Sequence, residues 1–265
     1  MRWDGATVVV TGASRGIGRS IATAAAEKGA RLGLVARSAD ALAAVRDELG
    51  GAVPIAVADL ADRHQLEQAW STLTKELGPV DILVNNAGVG IWGPFVDTRE
   101  DDVDAVISLN LVAALQLTRL ALPDMIRRRR GHIVNIGSIA GRVGVPFEAT
   151  YSASKFGLAG FTEALALEVR SFRIGVSMVN PGPVATEFFA DARWPRYAAT
   201  LPRPVPPARV ASAVIAAVER GDVERVVPRW LRVADVVRAV VPKLYEAGAR
   251  RAAAPQLAEF RRRWS

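Results

Sequence analysis

The sequence predicts an α/β domain of the doubly wound type: one seven-stranded parallel sheet with helices on both faces. Three observations lead there. Short β-branched runs alternate with longer stretches of helical periodicity. The first such run opens directly into a glycine-rich turn followed by helix. Half of the 265 residues are hydrophobic and fewer than a quarter are charged, a globular balance in a chain long enough for one large core.

The strands fall at 7–11 (TVVVT), 31–35 (RLGLV), 53–57 (VPIAV), 80–84 (VDILV), 132–137 (HIVNIG), 175–179 (GVSMV) and 225–227 (RVV). Helical patterns fill the intervals at 16–28, 39–49, 63–77, 101–129, 151–170 and 207–220, with apolar residues spaced to cover a sheet face. No linker divides them. The cluster Pro202-Arg203-Pro204-Val205-Pro206-Pro207 follows a loop and precedes a short helix, so it reads as the stem of a mobile lid rather than a boundary. One domain is expected over 1–229, with 230–265 as its helical extension. Within that extension, 230–247 is apolar around much of its circumference, carries Arg232, Asp235 and Arg238 at helical spacing, and meets Pro242, which should kink or stop it. Packing over a cleft or on another subunit is favoured, while the terminal Phe260-Arg261-Arg262-Arg263-Trp264 keeps a peripheral membrane contact open.

Composition excludes some functions. With no cysteine there is no disulfide, thiolate nucleophile or thiolate metal site, and a reducing cytoplasm is the default compartment. His64 and His132 are too isolated to suggest a metal. The opening Met1-Arg2-Trp3-Asp4-Gly5 lacks the features of a secretory signal, and charge or proline interrupts every candidate membrane span. The formal charge of +7 suits nucleic acid, an anionic membrane or an acidic small ligand. Arg127 to Arg130 precede Gly131, where a helix should end, and read as a solvated complement to its dipole. No aromatic-basic motif accompanies them, so nucleic acid is not an expected partner.

The turn after the first strand reads Thr11-Gly12-Ala13-Ser14-Arg15-Gly16-Ile17-Gly18. Glycine's missing side chain lets phosphate oxygens approach the N–H groups of a helix N-terminus, and a dinucleotide pyrophosphate suits such a site. Further along come Asn85-Asn86-Ala87-Gly88 after the fourth strand, Asn110 in the long helix, Ser138 after the fifth strand, and Tyr151-Ser152-Ala153-Ser154-Lys155 opening the sixth helix. Together, over about residues 5–187, these motifs resemble the short-chain dehydrogenase/reductase family, which implies a Rossmann-like fold and interconversion of a carbonyl and a secondary alcohol. Gly137, where many relatives carry a second serine, departs from the pattern but leaves Ser138 in place.

Tyr151 and Lys155 are four apart on a helix and so share a face. A phenol titrates near ~10 in isolation; a lysine ammonium and a cationic nicotinamide nearby would lower that value. The resemblance implies that Tyr151 exchanges the proton with the substrate oxygen, Ser138 hydrogen-bonds that oxygen, Lys155 holds the nicotinamide ribose, and Asn110 positions a water linking Lys155 to solvent. On the cofactor side it assigns Gly12, Ser14, Gly16, Ile17 and Gly18 to the pyrophosphate turn, Arg15 within that turn to the second basic position of NADP-preferring relatives, Asp59 and Leu60 to the adenine, and Asn86, Ala87 and Gly88 to the adenosine side. Pro181, Gly182, Val184 and Thr186 belong to the turn that orients the nicotinamide. The second strand ends at Arg37-Ser38, with no acid to read a free ribose, and Arg37 can pair with a 2′-phosphate, so NADP(H) is expected over NAD(H).

The loop 187–206 carries Phe188, Phe189, Trp194 and Tyr197, which with Trp92, Phe95, Val143 and Phe147 suggest an apolar substrate. Relatives commonly pair the helices at 101–129 and 151–170 between subunits, so a homodimer or homotetramer is implied. The competing reading is a dinucleotide-binding regulator or scaffold without turnover, against which the intact Asn110, Ser138, Tyr151 and Lys155 set argues.

Overall fold

In the computed structural model, which describes residues 1–189 and 203–264, seven strands form: β1 Thr7–Thr11, β2 Arg31–Ala36, β3 Ile55–Val57, β4 Ile82–Asn85, β5 Gly131–Ile136, β6 Ile174–Pro181 and β7 Glu224–Val227. They make one parallel sheet in the order β3-β2-β1-β4-β5-β6-β7. The chain winds outward from β1 to β3, then crosses back to β4 and winds the other way. A crevice therefore opens at the carboxyl ends of β1 and β4, where the winding reverses. β3 starts at Ile55 rather than Val53 because Pro54 has no N–H for the ladder.

The helices are α1 Gly16–Glu27, α2 Ala39–Glu48, α3 Arg63–Leu77, α4 Glu100–Ile107, α5 Ala113–Arg128, α6 Ala149–Glu168, α7 Pro207–Arg220, α8 Arg232–Val240, α9 Pro242–Ala252 and α10 Ala254–Arg262. They divide between the two faces according to the alternation of the strands. Val8 and Val10 of β1 join a core with Ile21 of α1, Leu42 of α2 and Val214 of α7. Val9 faces the other way, into a core with Leu73 of α3, Leu117 of α5 and Leu165 of α6.

Three expectations need correction. The long helix at 101–129 is not uniform: a π-helical turn, Ser108–Val112, separates α4 from α5. The run Glu100–Arg128 is also, by length and composition, apolar enough to cross a membrane, which the reading of interrupted spans missed. In this fold its apolar side, with Ala113, Leu117, Ala121 and Met125, is turned onto the sheet. Nor is the arginine run simply solvated. Arg127 reaches half-buried Asp124, but Arg128 donates to Asp81 Oδ1 at 2.8 Å and Val80 O at 2.6 Å, and Arg130 donates to Asp81 Oδ1 at 2.9 Å. Burial would raise the Asp81 carboxyl, yet these two guanidinium groups and the Thr7 N–H hold it below the ordinary range. Two of the four arginines thus staple the end of α5 to the start of β4.

Pro242 does break the extension, ending α8 and opening α9. The extension folds back on the chain's own loops. Arg238 donates to Arg142 O at 2.7 Å, Tyr245 Oη to Gly144 O at 2.7 Å, and Arg263 Nη1 to Asp97 Oδ2 at 2.6 Å. Val233, Val236 and Val240 of α8 remain exposed.

Candidate active site

Elementary sterics shape the turn after β1. Gly12 and Gly16 have φ of 64° and 54°, a region that side chains resist. A Cβ on Gly12 would lie 2.9 Å from Ala87 Cα, and one on Gly18 only 2.2 Å from Gly12 O, so Gly18 lets α1 pack against the turn. Thr11 Oγ1 accepts from the N–H groups of Asn86 and Ala87 at 2.9 and 3.0 Å, and Asn86 Nδ2 donates to Thr11 O at 2.8 Å. These bonds tie the turn to the end of β4. The N-cap of α1, Arg15, gives no side-chain cap, and no acid occupies the first turn. Those N–H groups meet a cavity of about 480 Å³ lined by Gly12, Ser14, Arg15, Gly16 and Ile17. An uncapped helix N-terminus beside three glycines fits a dinucleotide phosphate.

Arg37, Ser38 and Leu60 line one end of the same cavity, and Asn86, Ala87 and Gly88 its floor. Ser38 Oγ also caps α2, accepting from Ala41 N at 3.4 Å. Asp59 is not in the lining. Its Oδ1 accepts from Ala61 N at 3.0 Å and its N–H donates to Gln65 Oε1 at 3.0 Å, which fixes the turn that follows β3. Gly18 is likewise absent from the lining, for the packing reason given above.

At the other end, Ser138, Tyr151 and Lys155 face the cavity together. Tyr151 is 9% exposed, and the neighbouring Ser138 side chain favours its ionised form. Lys155 is 4% exposed, donates to Ile136 O at 3.0 Å, and holds Nζ 5.8 Å from the Tyr151 ring centre. Helix α6 begins at Ala149, so Tyr151 sits inside its first turn rather than opening it.

The electrostatics differ from expectation. Burial pushes the Tyr151 phenol above its ordinary value; Ser138 opposes that, and the nearby Glu148 adds to it. Burial brings Lys155 down to about 8. In the chain alone the phenol therefore keeps its proton at neutral pH, and the expected depression by Lys155 does not arise.

Asn110 lies in the π turn and is 1% exposed. Its Oδ1 accepts from Val89 N at 2.8 Å, and its Nδ2 donates to Val89 O at 2.9 Å and Ser154 Oγ at 3.1 Å. It joins the loop after β4 to α6 instead of lining the cavity. A Cβ on Gly88 would fall 3.0 Å from Asn110 Oδ1 and 3.7 Å from Lys155 Nζ, so the two side chains flank Gly88.

Pro181, Gly182, Val184 and Thr186 line the cavity after β6, where an isolated parallel bridge joins Val184 to Val205. The substrate side was only partly foreseen. Trp92, Phe95, Val143 and Phe147 are not in the lining: Phe95 is 63% exposed, Val143 is buried, and the Trp92 and Phe147 rings pack 5.4 Å apart. Phe188 does line it, 5.9 Å from the Tyr151 ring, whereas Trp194 and Tyr197 lie outside the described residues, as does most of the expected lid. Val145, Glu148 and Leu231 line the cavity without having been singled out. Only Glu148 had a legible signal, an acid one helical turn before Tyr151.

A doubly wound parallel sheet, a glycine turn at its switch point and a Ser-Tyr-Lys set across the crevice define the class of nicotinamide-nucleotide oxidoreductases. Residues 6–196 match the family model for short chain dehydrogenases, and the chain belongs to that family. It is 40% identical over 228 residues to the ketoacyl reductase HetN of Nostoc sp., covering 84% of this chain and 78% of that protein. It is 40% identical over 184 residues to the human 3-oxoacyl-[acyl-carrier-protein] reductase, covering 69% and 78%. Among solved structures, a short-chain dehydrogenase from Sphingobium yanoikuyae in complex with NADPH superposes with TM-score 0.77 at 31% identity, covering 89% of this chain and 95% of that one.

Proposed function

We propose that this protein is an NADP(H)-dependent oxidoreductase that interconverts a ketone-like carbonyl and a secondary alcohol on an apolar substrate. The observation that carries the reading is that Ser138, Tyr151 and Lys155 line together the cavity that also holds the glycine turn. The α1 N-terminus and the turn bind the pyrophosphate, and Arg37 with Arg15 binds the 2′-phosphate. The NADPH complex of the Sphingobium relative supports that choice.

NADPH, when bound, would supply the hydride that reduces the carbonyl carbon. The Tyr151 hydroxyl, kept protonated by burial, gives its proton to the carbonyl oxygen, while Ser138 donates a hydrogen bond to the same oxygen as charge develops there. Lys155 holds the ribose hydroxyls and, with an ammonium brought down to about 8, returns a proton to the phenolate. Asn110 fixes α6 and the Val89 loop, and with them the spacing of the site. Ile139, Val145, Phe188 and Leu231 give the substrate side its apolar character.

The test is Tyr151→Phe with a panel of ketones and alcohols and both nicotinamide cofactors. NADPH affinity should be retained while kcat falls about 100-fold or more. A folded variant with wild-type turnover would overturn the reading.

We infer also a cytoplasmic homodimer or homotetramer paired through α5 and α6, a reading supported by exposed Leu167 and Val112. A monomeric mass in solution would refute it. A peripheral membrane contact through the extension has its own support. Residues 229–265 hold nine arginines and lysines against three acids, which is +6 of the chain's +7, beside exposed Trp230, Val236 and Leu244. Sedimentation with anionic vesicles at low salt is expected; retention in the supernatant would remove the contact.

A further inference from the structure

The cavity holds an acid that this reaction does not use. Glu148 immediately precedes α6, is 8% exposed, and lines the cavity on the Tyr151 side. Its backbone is engaged: the N–H donates to Val145 O at 3.1 Å and the carbonyl accepts from Ser152 N at 2.7 Å. Its carboxyl group makes no hydrogen bond or ion pair with any described residue. Its oxygens reach the open cavity, where an acceptor atom of a ligand can take the place of water.

The aim of that side chain is built in. Phe147, just before it, has φ of 68°, a left-handed backbone that costs a residue with a Cβ about 1–2 kcal/mol. Such a conformation persists where the surroundings over-determine it. Here Phe147 O accepts from Gly93 N at 2.8 Å, and the Phe147 ring packs 5.4 Å from Trp92 and 6.4 Å, edge-on, from Phe260 of α10. Two separate segments, the loop at Trp92 and Gly93 and helix α10, thus hold the turn that presents Glu148 to the cavity.

We propose that Glu148, as a neutral carboxylic acid, donates a hydrogen bond to a second acceptor oxygen of the substrate, a few bonds from the reacting carbonyl. It thereby selects oxygen-bearing ketones over their all-carbon counterparts. The inference rests on the carbonyl-reductase reading above and adds a specificity determinant to it.

The neutral form suits both neighbours. Burial brings the Glu148 carboxyl up to about 7, and its anion would oppose deprotonation of Tyr151. Among the described residues, Tyr151, Lys155, Glu187, Arg15 and Arg37 are the other titratable or charged groups lining this cavity. Arg142, on the loop leading to Glu148, is paired with Glu224 at 2.6 Å instead.

The test compares kcat/KM for an alkoxy ketone with that for the all-carbon ketone of equal length. Wild type, Glu148→Gln and Glu148→Ala are assayed with NADPH from about pH 6 to about pH 8.5, across the Glu148 titration. The wild-type preference for the alkoxy ketone should fall about threefold to tenfold as the pH rises and the donor is lost. Glutamine, whose amide donates at every pH, should hold the preference; alanine should lack it throughout. Equal NADPH affinity in all three shows that the fold is kept. A wild-type preference matched by Glu148→Ala overturns the proposal. Failure of the wild-type enzyme to reduce either ketone overturns the carbonyl-reductase reading, and the proposal with it.

Discussion

Replacing Glu148 by glutamine keeps the side chain's shape and removes its charge, so the two proteins should diverge in stability only where Glu148 ionises. Burial raises its carboxyl from 4.5 to about 7 in the folded chain. At roughly 1.4 kcal/mol per pH unit, the difference corresponds to about 3 kcal/mol between the two protonation states. The sign follows from proton counting. Below about pH 4.5 both folded and unfolded chains carry the proton, and Glu148 costs nothing. Between about 4.5 and 7 the unfolded chain releases it first, so wild-type stability drops steadily relative to the variant; above about 7 the deficit stays constant. Urea unfolding of both proteins across this range, with ligand absent, measures the gap directly. Glu148→Gln should gain about 2–3 kcal/mol on wild type between about pH 5 and about pH 8. Parallel stability curves would refute the claim that this carboxyl is buried and unpaired.

Other perturbations test separate parts of the structure. Arg37→Ala should weaken NADPH by about 1.5–3 kcal/mol and NADH much less, measured by cofactor titration, as expected for loss of a bond to a charged phosphate; equal weakening would remove the 2′-phosphate assignment. Gly137→Ser would set a Cβ 2.0 Å from Asn180 Oδ1, whose Nδ2 donates to Glu224 Oε1 at 2.7 Å. Thermal unfolding should show a loss of about 1–3 kcal/mol, and an unchanged midpoint would contradict that contact. Arg128→Met should cost about 2 kcal/mol by leaving Asp81 with the Arg130 guanidinium and the Thr7 N–H, a loss that should shrink as the pH falls and Asp81 takes up a proton.

The fold was legible because its signals are local and repeated. Each strand is a short β-branched run, and the turns carry glycines whose backbone angles no other residue adopts readily. The Ser138, Tyr151 and Lys155 set was legible for a different reason: its members sit at fixed offsets from strand ends and along one helix. What the sequence hid were partnerships across long separations. Nothing local says that Arg128 and Arg130 meet Asp81. The aromatic residues misled for the same reason. Trp92 and Phe147 were read as cavity lining, but each finds the other, with Phe260 closing the cluster from the far end of the chain. The π turn at Asn110 is hidden because it inserts a backbone irregularity without a proline or glycine to mark it.

The grip of α10 on Phe147 gives the end of the chain a say in chemistry it never touches. Arg263 and Asp97 meet across 166 positions of sequence, and Phe260 reaches the residue just before Glu148. Trimming or fusing a tag to that end should alter substrate preference well before it unfolds the sheet. Variation in the tail is thus a route by which such an enzyme could drift toward new substrates while its proton donor and cofactor grip stay as they are.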